Sequence, residues 1–161
     1  GEAQSGHIEA IGYSLYLKML EDEINKLMNQ KNVASEVELK ISVNAFLNSD
    51  FIPHDRLRLD IYRRLSKCED TASVYEIFGE IEDRFGRADI YTKQFIDLMV
   101  IKVLAQNCGI KAISSMDENI LITQNNGEKI RLKARSRDDD DVLDEILSYL
   151  RKCEKSVLNK I

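Results

Sequence analysis

Apolar positions recur at helical spacing over much of the chain, and the period changes where a sheet is expected. Ile8, Ile11, Leu15, Met19, Ile24 and Leu27 fall near a 3.6-residue repeat, which predicts an amphipathic helix over residues 7–30 with Ser5 as its N-cap. Its apolar stripe has to pack on a partner segment. Residues 31–35 form a short polar connection. Val37, Leu39, Ile41 and Val43 then alternate with Glu36, Glu38, Lys40 and Ser42, the pattern of a strand with one wet face. Residues 44–55 are irregular and hold the only proline, Pro53.

Four more helices are expected. Asp55 is placed to cap one over residues 56–67, with Leu57, Ile61 and Leu65 on one side. Residues 72–85 carry a stripe of Val74, Phe78, Ile81 and Phe85, ended by Gly86. Residues 91–108 are apolar nearly all round, the mark of a central helix, with Gly109 as C-cap. Short strands follow at 110–114, 119–124 and 128–134. The last two form a hairpin across Asn125-Asn126-Gly127. Asp138 to Asp141 open a final helix reaching about Leu158, where their charges suit the positive end of the helix dipole. The fold class is α+β: four to five helices with a small, largely antiparallel sheet, preceded by a long N-terminal helix.

Composition narrows the function. The 161 residues carry a formal net charge of −5, and 43% are hydrophobic. The chain can bury a core, and its acidic balance argues against a dedicated nucleic-acid binder. No apolar run approaches the roughly 18 residues of a membrane span, and no signal peptide is visible at the start. A reduced, cytoplasmic protein is expected. Cys68, Cys108 and Cys153 are too widely spaced for a zinc motif, so no metal site is expected. No phosphate-cradling glycine loop, HExxH or nucleophile signature is present. The fragment is therefore read as non-catalytic, with no cofactor of its own. The opening Gly1-Glu2-Ala3-Gln4-Ser5-Gly6 reads as the middle of a longer polypeptide.

Two charged surfaces stand out. At about 100° per residue, Glu76, Glu80, Asp83 and Arg84 gather on the side of the 72–85 helix away from Val74. Such a face is ordinarily solvated. It also suits docking to a partner with arginines, because carboxylates accept guanidinium in paired bonds. Lys129, Arg131, Lys133 and Arg135 share one side of the last strand, with Arg137 following. An exposed, aggregation-resistant edge accounts for this pattern. Contact with nucleic-acid phosphates is the alternative, which the acidic net charge and the lack of interleaved aromatics disfavour.

Several strings together resemble the bacterial transcription-repair coupling factors. The stretch from Gly1 to Glu9, followed by Ile11-Gly12-Tyr13 and Leu15-Tyr16, is similar to the end of that family's translocase motor and the helix that hooks back onto it. Asp50-Phe51-Ile52-Pro53, Arg56-Leu57-Arg58-Leu59, Tyr62-Arg63-Arg64 and the specific string Glu80-Ile81-Glu82-Asp83-Arg84-Phe85-Gly86 resemble the family's C-terminal domain. The likeness runs to about Ile110. Arg87-Ala88-Asp89 stands where the family often has a proline, and the run from Asp138 to Asp141 has no family counterpart.

The resemblance divides the chain into residues 1–31, the end of the translocation motif with its linking helix, and residues 36–161, a C-terminal regulatory domain. It implies a full-length, ATP- and Mg-dependent DNA translocase that acts on stalled RNA polymerase on double-stranded DNA and recruits the excision-repair protein UvrA. The C-terminal domain would dock on the protein's own N-terminal, UvrB-like domain and mask its UvrA-binding surface. Glu80, Asp83 and Arg84 match the docking positions, and Gln4 matches the translocation-motif glutamine.

Overall fold

The computed structural model describes residues 37–159. The expected first helix and Gln4 lie outside them. The described elements are β1 (Glu38–Lys40), α1 (Asp55–Ser66), α2 (Thr71–Phe85), α3 (Ile90–Asn107), β2 (Ile110–Met116), β3 (Asn119–Gln124), β4 (Lys129–Lys133) and α4 (Asp139–Asn159). The class is α+β, as the change of period predicts.

The all-round apolar segment is the central helix. α3 buries Ile96, Val100, Ile101, Val103, Leu104 and Ala105. Against it lie Val74, Ile77 and Ile81 of α2 and Val142, Leu143, Ile146, Leu147 and Leu150 of α4. Ile113, Ile120 and Ile122 of the sheet complete the same core. Cys108 caps α3, and the chain then turns at Gly109, whose φ of 70° is open to glycine at little cost.

The sheet order is β1-β2-β3-β4. β2, β3 and β4 form an antiparallel meander, with Ile120 opposite Leu132 and Ile122 opposite Ile130. The hairpin closes as the residue types require: Gly127 N–H donates to the Gln124 carbonyl at 2.9 Å, and Gly127 has φ 90°. β1 pairs in parallel with β2, setting Lys40 opposite Ser114. The three helices between them supply the long crossover that parallel pairing needs.

Three expectations are corrected. The strand foreseen over 37–43 ends at Lys40. Val43 N–H closes back onto the Ile41 carbonyl at 2.9 Å, and Ser42 N–H donates to Ser115 Oγ at 2.8 Å, so the backbone leaves the ladder. Asp55 does not cap α1. His54 occupies that position without a side-chain bond, and the Asp55 carboxylate pairs with Arg58 instead. On α2, Ile77 is buried while Phe78 and Phe85 are half-exposed. The helix packs against both α1 and α3, so its buried sector is wider than a single stripe and turned toward Ile77.

The acidic run that opens α4 is tied into the fold. Asp139 Oδ2 accepts from Asn44 N–H at 2.9 Å and from Gln94 Nε2 at 3.3 Å. Asp141 accepts from Ser136 Oγ at 2.7 Å. The helix N-terminus favours these carboxylates electrostatically. Asp138, Asp140 and Asp141 place carboxylate oxygens within 4.8 Å of one another, the one grouping of potential metal-ligand side chains among the described residues. Their place in and beside the first turn of α4 suits the positive end of the helix dipole.

A candidate docking face on the second helix

α2 starts at a strong cap. Asp70 accepts from Ser73 N–H at 2.7 Å, and this bond holds its carboxyl below the usual range. The helix stops at Gly86, where φ 92° and ψ −167° are essentially restricted to glycine. Glu82 Oε2 accepts from Ala88 N–H at 2.9 Å and fastens the loop that follows. The orientation of the helix is thus set at both ends.

Glu76, Glu80, Asp83 and Arg84 are all exposed on the outer side of α2. The family-matched positions Glu80, Asp83 and Arg84 therefore occupy one continuous surface. Arg84 lies with its guanidinium 5.5 Å from the centre of the Phe85 ring, and Phe51 meets that ring edge-on at 6.0 Å. This contact limits the freedom of the arginine and gives the polar face an apolar border.

One member of the surface was not foreseen. Arg64, from α1, reaches Glu80 with Nη1–Oε2 at 2.6 Å. The hydrogen bond and charge of Arg64 hold the Glu80 carboxyl below its usual range, and the same bond raises the arginine's pKa. The string Tyr62-Arg63-Arg64 carried the family likeness, but only the crossing of α1 and α2 shows that its second arginine meets Glu80. The face is thus built from two helices.

The basic strand is exposed as expected. Lys129, Arg131 and Lys133 alternate with half-buried Ile130 and Leu132, opposite Thr123, Leu121 and Asn119. Arg135 is exposed but lies beyond the end of β4, past Ala134, whose N–H donates to the Glu118 carbonyl at 2.8 Å. The row of cations on the strand is therefore three residues long, with Arg135 outside it. Among the described residues, no helix is long and apolar enough to cross a membrane.

The architecture defines a small α+β domain with an exposed, charged face on α2. The family model of the TRCF domain matches residues 41–134, more than half of the chain, and the chain belongs to that family. Two relatives from Helicobacter pylori, each named transcription-repair-coupling factor, are 48% identical over 152 residues and 46% identical over 151. These matches cover 94% and 93% of this chain but 15% of each relative, so the chain spans a small part of their length. A Staphylococcus aureus protein of the same name is 30% identical over 146 residues, covering 89% of this chain and 12% of that protein. A crystal structure of the C-terminal domain of transcription-repair coupling factor superposes with a TM-score of 0.65 at 16% identity, covering 78% of this chain and 99% of that one. That likeness shows the fold.

Proposed function

We propose that this domain is a non-catalytic, autoinhibitory element of a transcription-coupled DNA-repair translocase. It docks through Glu80, Asp83 and Arg84 on the factor's own N-terminal, UvrB-like domain and covers the surface that UvrA binds. In the full-length factor, ATP and Mg would act at the motor, and RNA polymerase and double-stranded DNA would be engaged elsewhere in the cytoplasmic protein. The observation that carries the reading is the exposure of the three family-matched residues on one face of a helix whose ends are both fixed. Docking must be modest in strength, since a clamp worth more than a few kcal/mol would resist release.

The test is UvrA affinity for the full-length factor with and without Glu80→Ala and Asp83→Ala. Removing one partner of a desolvated interfacial charge pair costs about 2–5 kcal/mol, so losing Asp83 should open the clamp and raise UvrA binding. Unchanged affinity in a folded variant would reduce the face to solvated surface. A second reading rests on the exposed row Lys129, Arg131 and Lys133, which could contact nucleic-acid phosphates. Tight DNA binding with a steep salt dependence would favour it.

A further inference from the structure

The docking face is partly neutralised by its own domain. Arg64 Nη1 lies 2.6 Å from Glu80 Oε2. Both side chains remain open to solvent, at 43% and 52% exposure, so an incoming group can reach either. Asp83, one turn further along α2, forms no ion pair among the described residues. Of the two carboxylates matched to the docking positions, Asp83 is therefore free of an ion pair and Glu80 is already engaged by a cation.

We propose that Arg64 is an internal competitor for the docking partner: it occupies Glu80 in the undocked state and weakens the clamp. The inference rests on the docking reading given above. A partner chosen by Glu80 and Asp83 presents guanidinium or ammonium groups. To reach Glu80 it must displace Arg64 or share the carboxylate beside a like charge, and like-charge juxtaposition disfavours association. Asp60, one turn earlier on α1, adds to the field that favours the charged arginine. The result is a clamp with lower affinity than its carboxylates alone would provide, which suits a contact that must be released.

The alternative role for the pair is to brace α1 on α2. Exposed ion pairs contribute little to folding, however, so its removal should spare the domain. The test uses the full-length factor and its affinity for UvrA. Arg64→Ala should tighten the clamp and lower UvrA affinity by roughly two- to fivefold, opposite in sign to Asp83→Ala. Arg64→Lys, which keeps the charge, should stay near the parent. In a Glu80→Ala background, Arg64→Ala should lose its effect. Thermal unfolding of each variant establishes that it is folded. If Arg64→Ala leaves UvrA affinity unchanged or raises it while Asp83→Ala still raises it, the competitor role is overturned and docking stands. If Asp83→Ala has no effect either, the docking reading falls, and the competitor role with it.

Discussion

Asn48 Nδ2 donates to Asp89 Oδ2 at 2.6 Å, joining the loop before α1 to the cap of α3. The other oxygen of the same carboxylate accepts from Thr92 N–H at 2.9 Å. Beside them Phe46 and Tyr91 stack with ring centres 4.7 Å apart, and Phe46 N–H donates to the Tyr91 carbonyl at 3.2 Å. One carboxylate thus closes the central helix and holds a loop about 40 residues away in sequence.

Asp89→Ala should therefore destabilise the domain by about 1–2 kcal/mol, as loss of a good N-cap does. Burial pushes the Asp89 pKa up, but the bonds from Thr92 and Asn48 outweigh it and leave the folded-state pKa below its ordinary value. The stabilisation is then present above the unfolded carboxyl's pKa of about 3.9 and lost as pH falls through the lower folded value. Urea midpoints of parent and variant, compared from pH 7 to pH 3, should converge at the acid end.

Arg58 is 2% exposed, and its Nη1 donates to the Ile52 carbonyl at 2.6 Å while Nη2 binds Asp55. Arg58→Met fills much of the space but strands that carbonyl, at an expected cost of about 1–3 kcal/mol. Arg58→Lys should not restore stability, because an ammonium cannot serve both acceptors in the geometry of the planar fork. Chemical denaturation of the three proteins gives the ranking.

The two glycines of α2 and its cap should respond with opposite signs. Gly86→Ala forces a side chain into φ 92°, ψ −167° and should cost about 1–3 kcal/mol. Gly79 is helical, and a Cβ there meets nothing within 4 Å. Gly79→Ala should stabilise by about 0.5–1 kcal/mol. Thermal unfolding of the two single variants checks both directions.

Asp97 is half-buried on α3. Burial raises its pKa, Asp144 adds to the rise, and Lys93 and Arg151 only partly oppose it. A carboxyl whose folded pKa is raised weakens the fold above that pKa and ceases to do so below the ordinary value. Asp97→Asn should therefore raise the Tm at pH 7, and the gain should shrink as pH falls through the raised folded pKa and be gone below about 4. A gain that persisted unchanged at pH 3 would show that charge is not its cause.

The long elements were legible because their signals are local. The stretch from Phe95 to Leu104, apolar but for Asp97 and Lys102, then Gly109, and Asn125-Asn126-Gly127 state a helix core, a stop and a turn within a few residues each. Elements decided by distant partners were not. Nothing near Ser42 reveals that Ser115 will take over its hydrogen bonds and end β1 early. The burial of Arg58 was not legible either: its partners Asp55 and Ile52 are near in sequence, but an arginine in a polar helix reads as surface until the packing around it is seen. On the candidate site, the exposure of Glu80, Asp83 and Arg84 followed from the helical period. The Arg64–Glu80 pair did not, because it depends on how two helices cross.

The parallel pairing of β1 with β2 also sets a clock for the growing chain. Ser42 and Ser115, whose bonds lock the end of β1, are 73 residues apart. At a synthesis rate of about 5–20 residues per second, β1 leaves the ribosome roughly 4 to 15 seconds before its partner strand. During that wait α1, α2 and α3 can pair as neighbours, but β1 has no partner strand to join. β2, β3 and β4 emerge after these helices, with only α4 still to follow, and β1 waits for them at what becomes the edge of the sheet. Codon changes that slow translation between Lys40 and Ile110 would lengthen the period in which this short strand is exposed to chaperones and proteases, without altering a single residue of the finished domain.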